Sequence, residues 1–266
     1  MYTKHDLIND LKTLKIDSKG TLMVHASYKS IGDVIGGVDT VLDSLMEYMC
    51  EGLLVLPTHT WRYINSDNPL FDVVNSPTNI GILTECFRKR EHVLRSYHPT
   101  HSVAAIGKDA FEFIKDDHKF DTPCNRGSSY GKLLDRHAKI LLIGVDLRRN
   151  TYIHGIEEWL NIEDELRLSK EKQNLKSKLP DGTIIEVPSR RHQLKSWSEH
   201  FYKVEEILIN QKAIKVGKFG DAKVLLCDAR RVFDVLKVIL EENPKLFNDD
   251  TPFNMDVIKH YSSQKI

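Results

Sequence analysis

The chain has 266 residues, with 38 Lys and Arg against 38 Asp and Glu and a 41% hydrophobic content, which excludes a disordered segment and suffices for the core of one large domain. Balanced charge supplies no cation surplus for a phosphate backbone, which argues against nucleic acid as a partner, and no stretch approaches the ~20 apolar residues of a membrane span, which argues against a membrane. Cys50, Cys86, Cys124 and Cys227 lie far apart without a C-x-x-C pair, and the N-terminus has charges in place of an apolar signal core, so the expected setting is the reducing cytoplasm.

Thr3, with Asp6 three residues on, predicts a capped first helix whose Leu7, Ile8, Leu11 and Leu14 share one face. TLMVH, ending at His25, reads as a short buried strand. The glycine-bearing SYKSIGDVIGG is the loop after it, and Asp39 or Thr40 opens a helix through Leu42, Leu45 and Met49. A strand over Leu53–Leu56 then completes a strand, helix, strand crossover. From Thr58 to Asn79 periodicity vanishes, marking a long connection expected on the substrate side. ILTECFRKR and DAFEFIKDD have helical spacing, while SVAAIG and the strongly apolar KILLIGV read as strands. This alternation predicts an α/β fold. Beyond Leu160, LPDGTIIEVP places a Pro-Asp-Gly turn between two extended runs, GKFGDAKVLLCDA forms a second hairpin around Gly220-Asp221, and a helix runs from Arg230 to Glu242. The expected organisation is one domain, with a catalytic core over residues 1–160 and a hairpin and helix portion over 161–266 packed on it.

Of the 12 histidines, five fall at strand ends or beside them: His25, His59, His98, His101 and His154. Ligands of open α/β sheets bind outside the carboxyl ends of strands, so several of these can face one crevice, although each alone also reads as a structural imidazole. In NTYIHGIEEW, Thr151 is placed to cap a helix that sets His154 and Glu157 on one face. A carboxylate holding one ring nitrogen leaves the other as a general base. The same H-x-x-E spacing fits a metal-ligand pair or an ordinary helical contact. The loop Ser27–Gly37 is either a phosphate cradle or a plain connection. In PCNRGSSYGKL, Ser128 and Ser129 can cap a helix, and Cys124 is a nucleophile or an inert thiol. SRRHQ, over 189–193, is a solvated basic face or an anion contact.

Taken together and in this order, LMVHASYKSIGDVIGGVDTVLDSL, LLVLPTHTW, GILTECFRKREHVLRSYHPTHSVAAIG, KLLDRHAKILLIGV, NTYIHGIEEW and GKFGDAKVLLCDARR resemble the aminoglycoside 3-N-acetyltransferase family, antibiotic acetyltransferases of bacteria distinct from the GNAT fold. The resemblance implies a three-layer α/β sandwich with a central mixed sheet and a C-terminal α+β subdomain. It implies direct transfer of an acetyl group from acetyl-CoA to an amine of an aminoglycoside or related amino sugar, with no metal and no covalent enzyme intermediate, by a monomer or homodimer. The family's N-T-x-x-H-x-x-E is Asn150, Thr151, His154 and Glu157, with His154 as base and Glu157 as its orienter; Thr151 and His25 complete the catalytic set. Coenzyme A is expected against Ser27, Tyr28, Lys29, Ser30, Ile31, Gly32, Gly36 and Gly37, and against His98, Thr100, His101 and Ser102 of the H-P-x-x-S segment. Lys29, Arg95 or Arg126 would meet its phosphates.

The acceptor is expected against Asp33, His59, Asp67, Asp72 and Glu158, a local acidic site. Arg148 and Arg149, just before the motif, would repel a polycation and point to a sugar amine in place of a conventional antibiotic. Two rival readings are a metal-dependent hydrolase using His25, His98, His101 and His154 with Glu157, and a non-catalytic binding module.

Overall fold

The apolar runs lie at the centre of a seven-stranded sheet because both of their faces are covered. In β1 (Thr21–Ala26), Met23 enters one core while Leu22 and Val24 enter another on the opposite face. In β2 (Leu53–Pro57), Leu53 and Val55 part from Leu54 and Leu56 in the same way. A computed structural model describes residues 1–162, 167–193 and 197–253. Its remaining strands are β3 (Leu70–Asp72), β4 (Leu94–Arg95), β5 (Val103–Gly107), β6 (Lys139–Ile143), β7 (Lys176–Lys178), β8 (Ile184–Glu186), β9 (Ile214–Phe219) and β10 (Ala222–Asp228). The large sheet has the order β4-β5-β2-β1-β6-β10-β9. β1, β2 and β6 are parallel, whereas β5 and β10 run antiparallel to β2 and β6. The sheet is therefore mixed, and helices on both faces make the three-layer sandwich.

One face carries α1 (Lys4–Leu14), α2 (Gly37–Tyr48) and α3 (Ile82–Phe87). The other carries α4 (Ala110–Ile114), α5 (Ser129–Asp135), α6 (Thr151–Trp159), α7 (Glu205–Asn210) and α8 (Ala229–Glu242). The capping box of α1 forms as expected: Thr3 Oγ1 accepts from the Asp6 N–H at 3.3 Å and the Asp6 carboxylate accepts from the Thr3 N–H at 2.9 Å. α8 buries Val232, Val235, Leu236, Ile239 and Leu240 at helical spacing, each contributing about 1.5–3 kcal/mol on leaving water.

Three helix starts differ from expectation. α2 begins after Gly36 rather than at Asp39 or Thr40, because Gly36 and Gly37 adopt φ of 81° and 65° and turn the chain directly into the helix. α6 has Asn150 as its N-cap, with Thr151 inside the first turn and no side-chain cap bond. α5 follows Ser128, but its cap is tertiary: buried Asp117 accepts from the Ser129 N–H and hydroxyl, both at 2.8 Å.

Residues beyond 160 are built into this architecture in two places. β9 and β10 complete the large sheet, and α8 shares a core with β1 and β6. β7 and β8 instead pair with β3 in a small sheet, burying Phe71 with Ile64, Val73 and Leu175. The long connection after β2 is thereby folded rather than loose. Arg95 pins it: its guanidinium donates to the carbonyls of Thr58, Val73 and Ser76 at 2.8, 3.2 and 2.6 Å and lies 4.7 Å from the Phe71 ring centre. Among the described residues, no helix is long and apolar enough to cross a membrane.

Candidate active site

β1, β2 and β6 end on a common edge. Because β5 runs the other way, its start lies there, with Val103 opposite Pro57. Pairing continues past the strands, as the Thr58 N–H donates to the Ser102 carbonyl at 2.8 Å and the Thr60 N–H to the Thr100 carbonyl at 3.0 Å. These bonds lay THT against HPTHS and bring the rings of His59 and His101 to 4.6 Å. A cavity of about 640 Å³ opens over this edge, bordered by Ala26, Val145 and Thr151 and faced by His25, His59, His101, His154 and His192.

His154 Nδ1 and Glu157 Oε2 are 3.2 Å apart, one turn along α6. Glu157 is buried and its Oε1 lies 3.2 Å from Arg167 Nε. The carboxylate can only accept, so the proton of neutral His154 belongs on Nδ1 and Nε2 carries a free lone pair. Burial lowers the proton affinity of His154, and His192 lowers it further, against the opposing pull of Glu157. His192 stacks on His154 with ring centres 4.4 Å apart. It has its own carboxylate: His192 Nε2 is 3.0 Å from Glu158 Oε1, which also accepts from the Cys124 N–H at 3.1 Å. Two histidine and glutamate pairs thus lie ring to ring.

The other imidazoles stay neutral because they are buried. His25 and His98 are each pushed down to about 4, and burial also lowers His59 and His101. His59 Nε2 meets the Tyr130 hydroxyl at 2.6 Å, and His101 Nδ1 meets Thr100 Oγ1 at 3.0 Å. His98 Nδ1 accepts from the N–H groups of Thr100 and His101 at 3.3 and 3.1 Å, which makes it the organiser of its turn. Ser102 is likewise committed, donating to the Thr58 carbonyl at 2.9 Å.

Several expected binding residues lie elsewhere. No residue of the Ser27–Gly37 loop lines the cavity; the loop leaves its rim after Ala26 as a turn of 3-10 helix over Tyr28–Ile31. Arg95 is buried in the pin described above, where loss of water drives its pKa down to about 9. Arg126 forks onto Asp135 at 2.5 and 2.9 Å, and Lys29 is an exposed residue outside the lining.

The expected acidic acceptor site is not formed. Asp33 and Asp67 are exposed away from the cavity, and Glu158 is taken by His192 and Cys124. Burial opposes the ionised form of Asp72, but bonds from Asn75 and Lys178 outweigh it and hold the carboxyl at about 2. In place of acids, the described lining carries Arg148, Arg149, Arg167 and Arg191. His192, Arg167 and Arg191 are site residues that sequence reasoning did not single out, although SRRHQ contains two of them. The histidine set of the hydrolase reading does not converge with Glu157 either. Among the described residues the one group with ligand atoms all within 4.8 Å is Cys124, Glu158 and His192.

A buried histidine and glutamate pair above a cavity at the strand ends of a three-layer α/β sheet is the layout of a small-molecule enzyme. The model of the aminoglycoside 3-N-acetyltransferase family matches residues 23–241, and the chain belongs to that acyltransferase family. It is 28% identical to the SPbeta prophage-derived aminoglycoside N(3')-acetyltransferase-like protein YokD of Bacillus subtilis (strain 168), over 87% of this chain and 90% of that one. Among solved structures, a mutant of aminoglycoside acetyltransferase AAC(3)-IVa in complex with a gentamicin matches with a TM-score of 0.80 at 24% identity, covering 92% of this chain and 91% of that one. AAC-IIIb, solved as a binary complex with CoASH, matches with a TM-score of 0.78 at 22% identity, covering 95% and 99%.

Proposed function

We propose that the protein transfers an acetyl group from acetyl-CoA directly to the amine of an amino sugar or aminoglycoside-like acceptor, with His154 as general base. The observation that carries this is His154 itself, tethered through Nδ1 to buried Glu157 and facing the strand-end cavity. An amine attacks a thioester carbonyl only when neutral. Nε2 takes the amine proton as the C–N bond forms, Glu157 stabilises the imidazolium, and the proton passes to the thiolate released when the C–S bond breaks. Arg167 Nε, 3.2 Å from Glu157 Oε1, places a positive charge on the far side of that buried carboxylate.

The amino end of α6 has no side-chain cap and Thr151 faces the cavity, so this helix start is the proposed donor to the developing oxyanion. Arg148 and Arg149, on the 3-10 turn Leu147–Arg149 next to the ends of β1 and β6, suit the phosphates of coenzyme A. The proposed route uses no metal.

The test is thiol release from acetyl-CoA across a panel of amines. The wild type should release thiol only when an acceptor is present, and His154→Ala should lose about 10²–10⁴ of that rate while still binding coenzyme A. A folded His154→Ala protein with near-wild-type transfer would remove His154 from the mechanism. The Cys124, Glu158 and His192 group favours a second reading, in which a divalent metal sits beside His154. Zinc retained through dialysis, with activity abolished by a chelator, would select it.

A further inference from the structure

Arg191 precedes His192 and lines the cavity, half-buried. Its Nη2 donates to the Trp61 carbonyl at 2.5 Å and its Nη1 to Gln173 Oε1 at 3.5 Å. Both acceptors are neutral. Arg148 and Arg149 differ: the first pairs with Asp146 at 2.6 Å, and both approach Glu199, at 3.7 and 3.9 Å. Arg191 has no carboxylate partner among the described residues. The nearby rings of His154 and His101 are held neutral by burial, and no Asp or Glu appears in the described lining. A guanidinium drawn partly out of water without a counter-charge, and aimed into a ligand cavity, is a site for an anion.

Position decides which ligand supplies that anion. Arg148 and Arg149 follow β6 and stand with the strand ends assigned to the cofactor. Arg191 belongs to a different part of the lining, built from the segment beside the small sheet: its carbonyl accepts from the Ser169 N–H at 2.7 Å, and it is tied to Gln173 and to Trp61 of the connection after β2. The Trp61 ring is partly exposed and faces the cavity beside it. From this we infer that Arg191 is an anion-binding residue for the acceptor, so that the acceptor is an amine whose carrier also bears a carboxylate or phosphate, with an apolar sugar face against Trp61. The inference rests on the proposed transfer and narrows its acceptor class. A carrier bearing several ammonium groups and no anion would instead meet the Arg191 guanidinium, which has no carboxylate partner among the described residues.

The experiment measures acetyl-CoA thiol release with glucosamine, glucosamine 6-phosphate, 2-amino-2-deoxyglucuronic acid and an aminoglycoside such as kanamycin. One of the two anionic sugars should exceed glucosamine in kcat/KM by about ten- to hundredfold, the scale of a charge-assisted pair. Arg191→Gln should erase that preference through acceptor KM, and Arg191→Lys, which keeps the charge without the fork, should retain part of it. Equal use of charged and uncharged sugars, preference for the aminoglycoside, or a KM change confined to acetyl-CoA would each overturn the inference. If no amine supports thiol release, the transferase reading fails separately, and the anion site is still tested by calorimetric titration with glucosamine 6-phosphate. Binding to the wild type, weakened about tenfold or more in folded Arg191→Gln, would sustain it; equal binding, or none to either protein, would sink it.

Discussion

The two histidine and glutamate pairs differ in what stands behind each carboxylate. Glu157 has a buried arginine on its far side, so the charge that holds His154 is itself held by a charge. Glu158 accepts from the main-chain N–H of Cys124, a neutral donor, and its histidine reaches it from a segment 34 residues away. The first pair lies on one helix turn, which sets its geometry by backbone alone and suits proton transfer. The second joins two segments and suits positioning. Its ring stacks on His154 and lowers the proton affinity of that imidazole.

Several substitutions test this contrast. The largest effect is expected for His154→Ala, with turnover down about 10²–10⁴, against a fall of less than about tenfold for His192→Phe, which keeps the stacked ring. Equal losses in the two variants, measured by thiol release, would erase the distinction. Next, Glu157→Gln should lower kcat by about 10–100-fold, the scale set by partners that orient a reacting imidazole, with a smaller effect on acceptor KM. A subtler change is expected in pH dependence. Because burial and His192 both lower the proton affinity of His154, the acid limb of kcat/KM should lie below the ordinary imidazole value of about 6.5. In His192→Phe the limb should move upward, since one opposing charge is gone. An unmoved limb would show that His192 does not act on His154 electrostatically.

Stability should follow pH with a definite sign. His25 and His98 have folded pKa values of about 4, so between that value and about 6.5 the unfolded chain binds more protons than the folded one. Stability is therefore complete above this window and falls on acidification through it, by on the order of 3 kcal/mol for each imidazole. Asp117 works the other way, since burial raises it to about 6, and it offsets part of the loss. The melting temperature should drop between about pH 6.5 and 4; a melting temperature that rises across this range would contradict the assignment of neutral, buried histidines.

How legible the molecule is from sequence depends on how local each feature is. The inner strands are readable because both faces are buried, which writes continuous apolar runs such as ILLI over residues 140–143. The pair of His154 and Glu157 is readable because three residues on a helix is one turn. Pairing of His192 with Glu158 is not, because it needs an isolated bridge between Leu168 and His192, and two residues joined in that way carry no periodicity. Arg95 misleads for the same reason. Its sequence neighbours suggest a free cation near a strand end, whereas three carbonyls from a connection tens of residues upstream enclose it. The acidic acceptor site fails as an expectation because neutrality of the whole chain does not say where either sign of charge gathers.

The parallel pairing of β3 with β7, Phe71 against Ser177, has a consequence for how acceptor preference can diversify. The wall that carries Trp61, Gln173 and Arg191 is woven from two stretches of chain more than 100 residues apart, and among the described residues β3 has no strand partner other than β7. Insertions or exchanges in one stretch must be matched in the second to preserve the register. A chimera that moves acceptor preference between family members should therefore transplant residues 58–79 and 167–193 together, and a swap of either alone should unravel the wall before it changes the choice of amine.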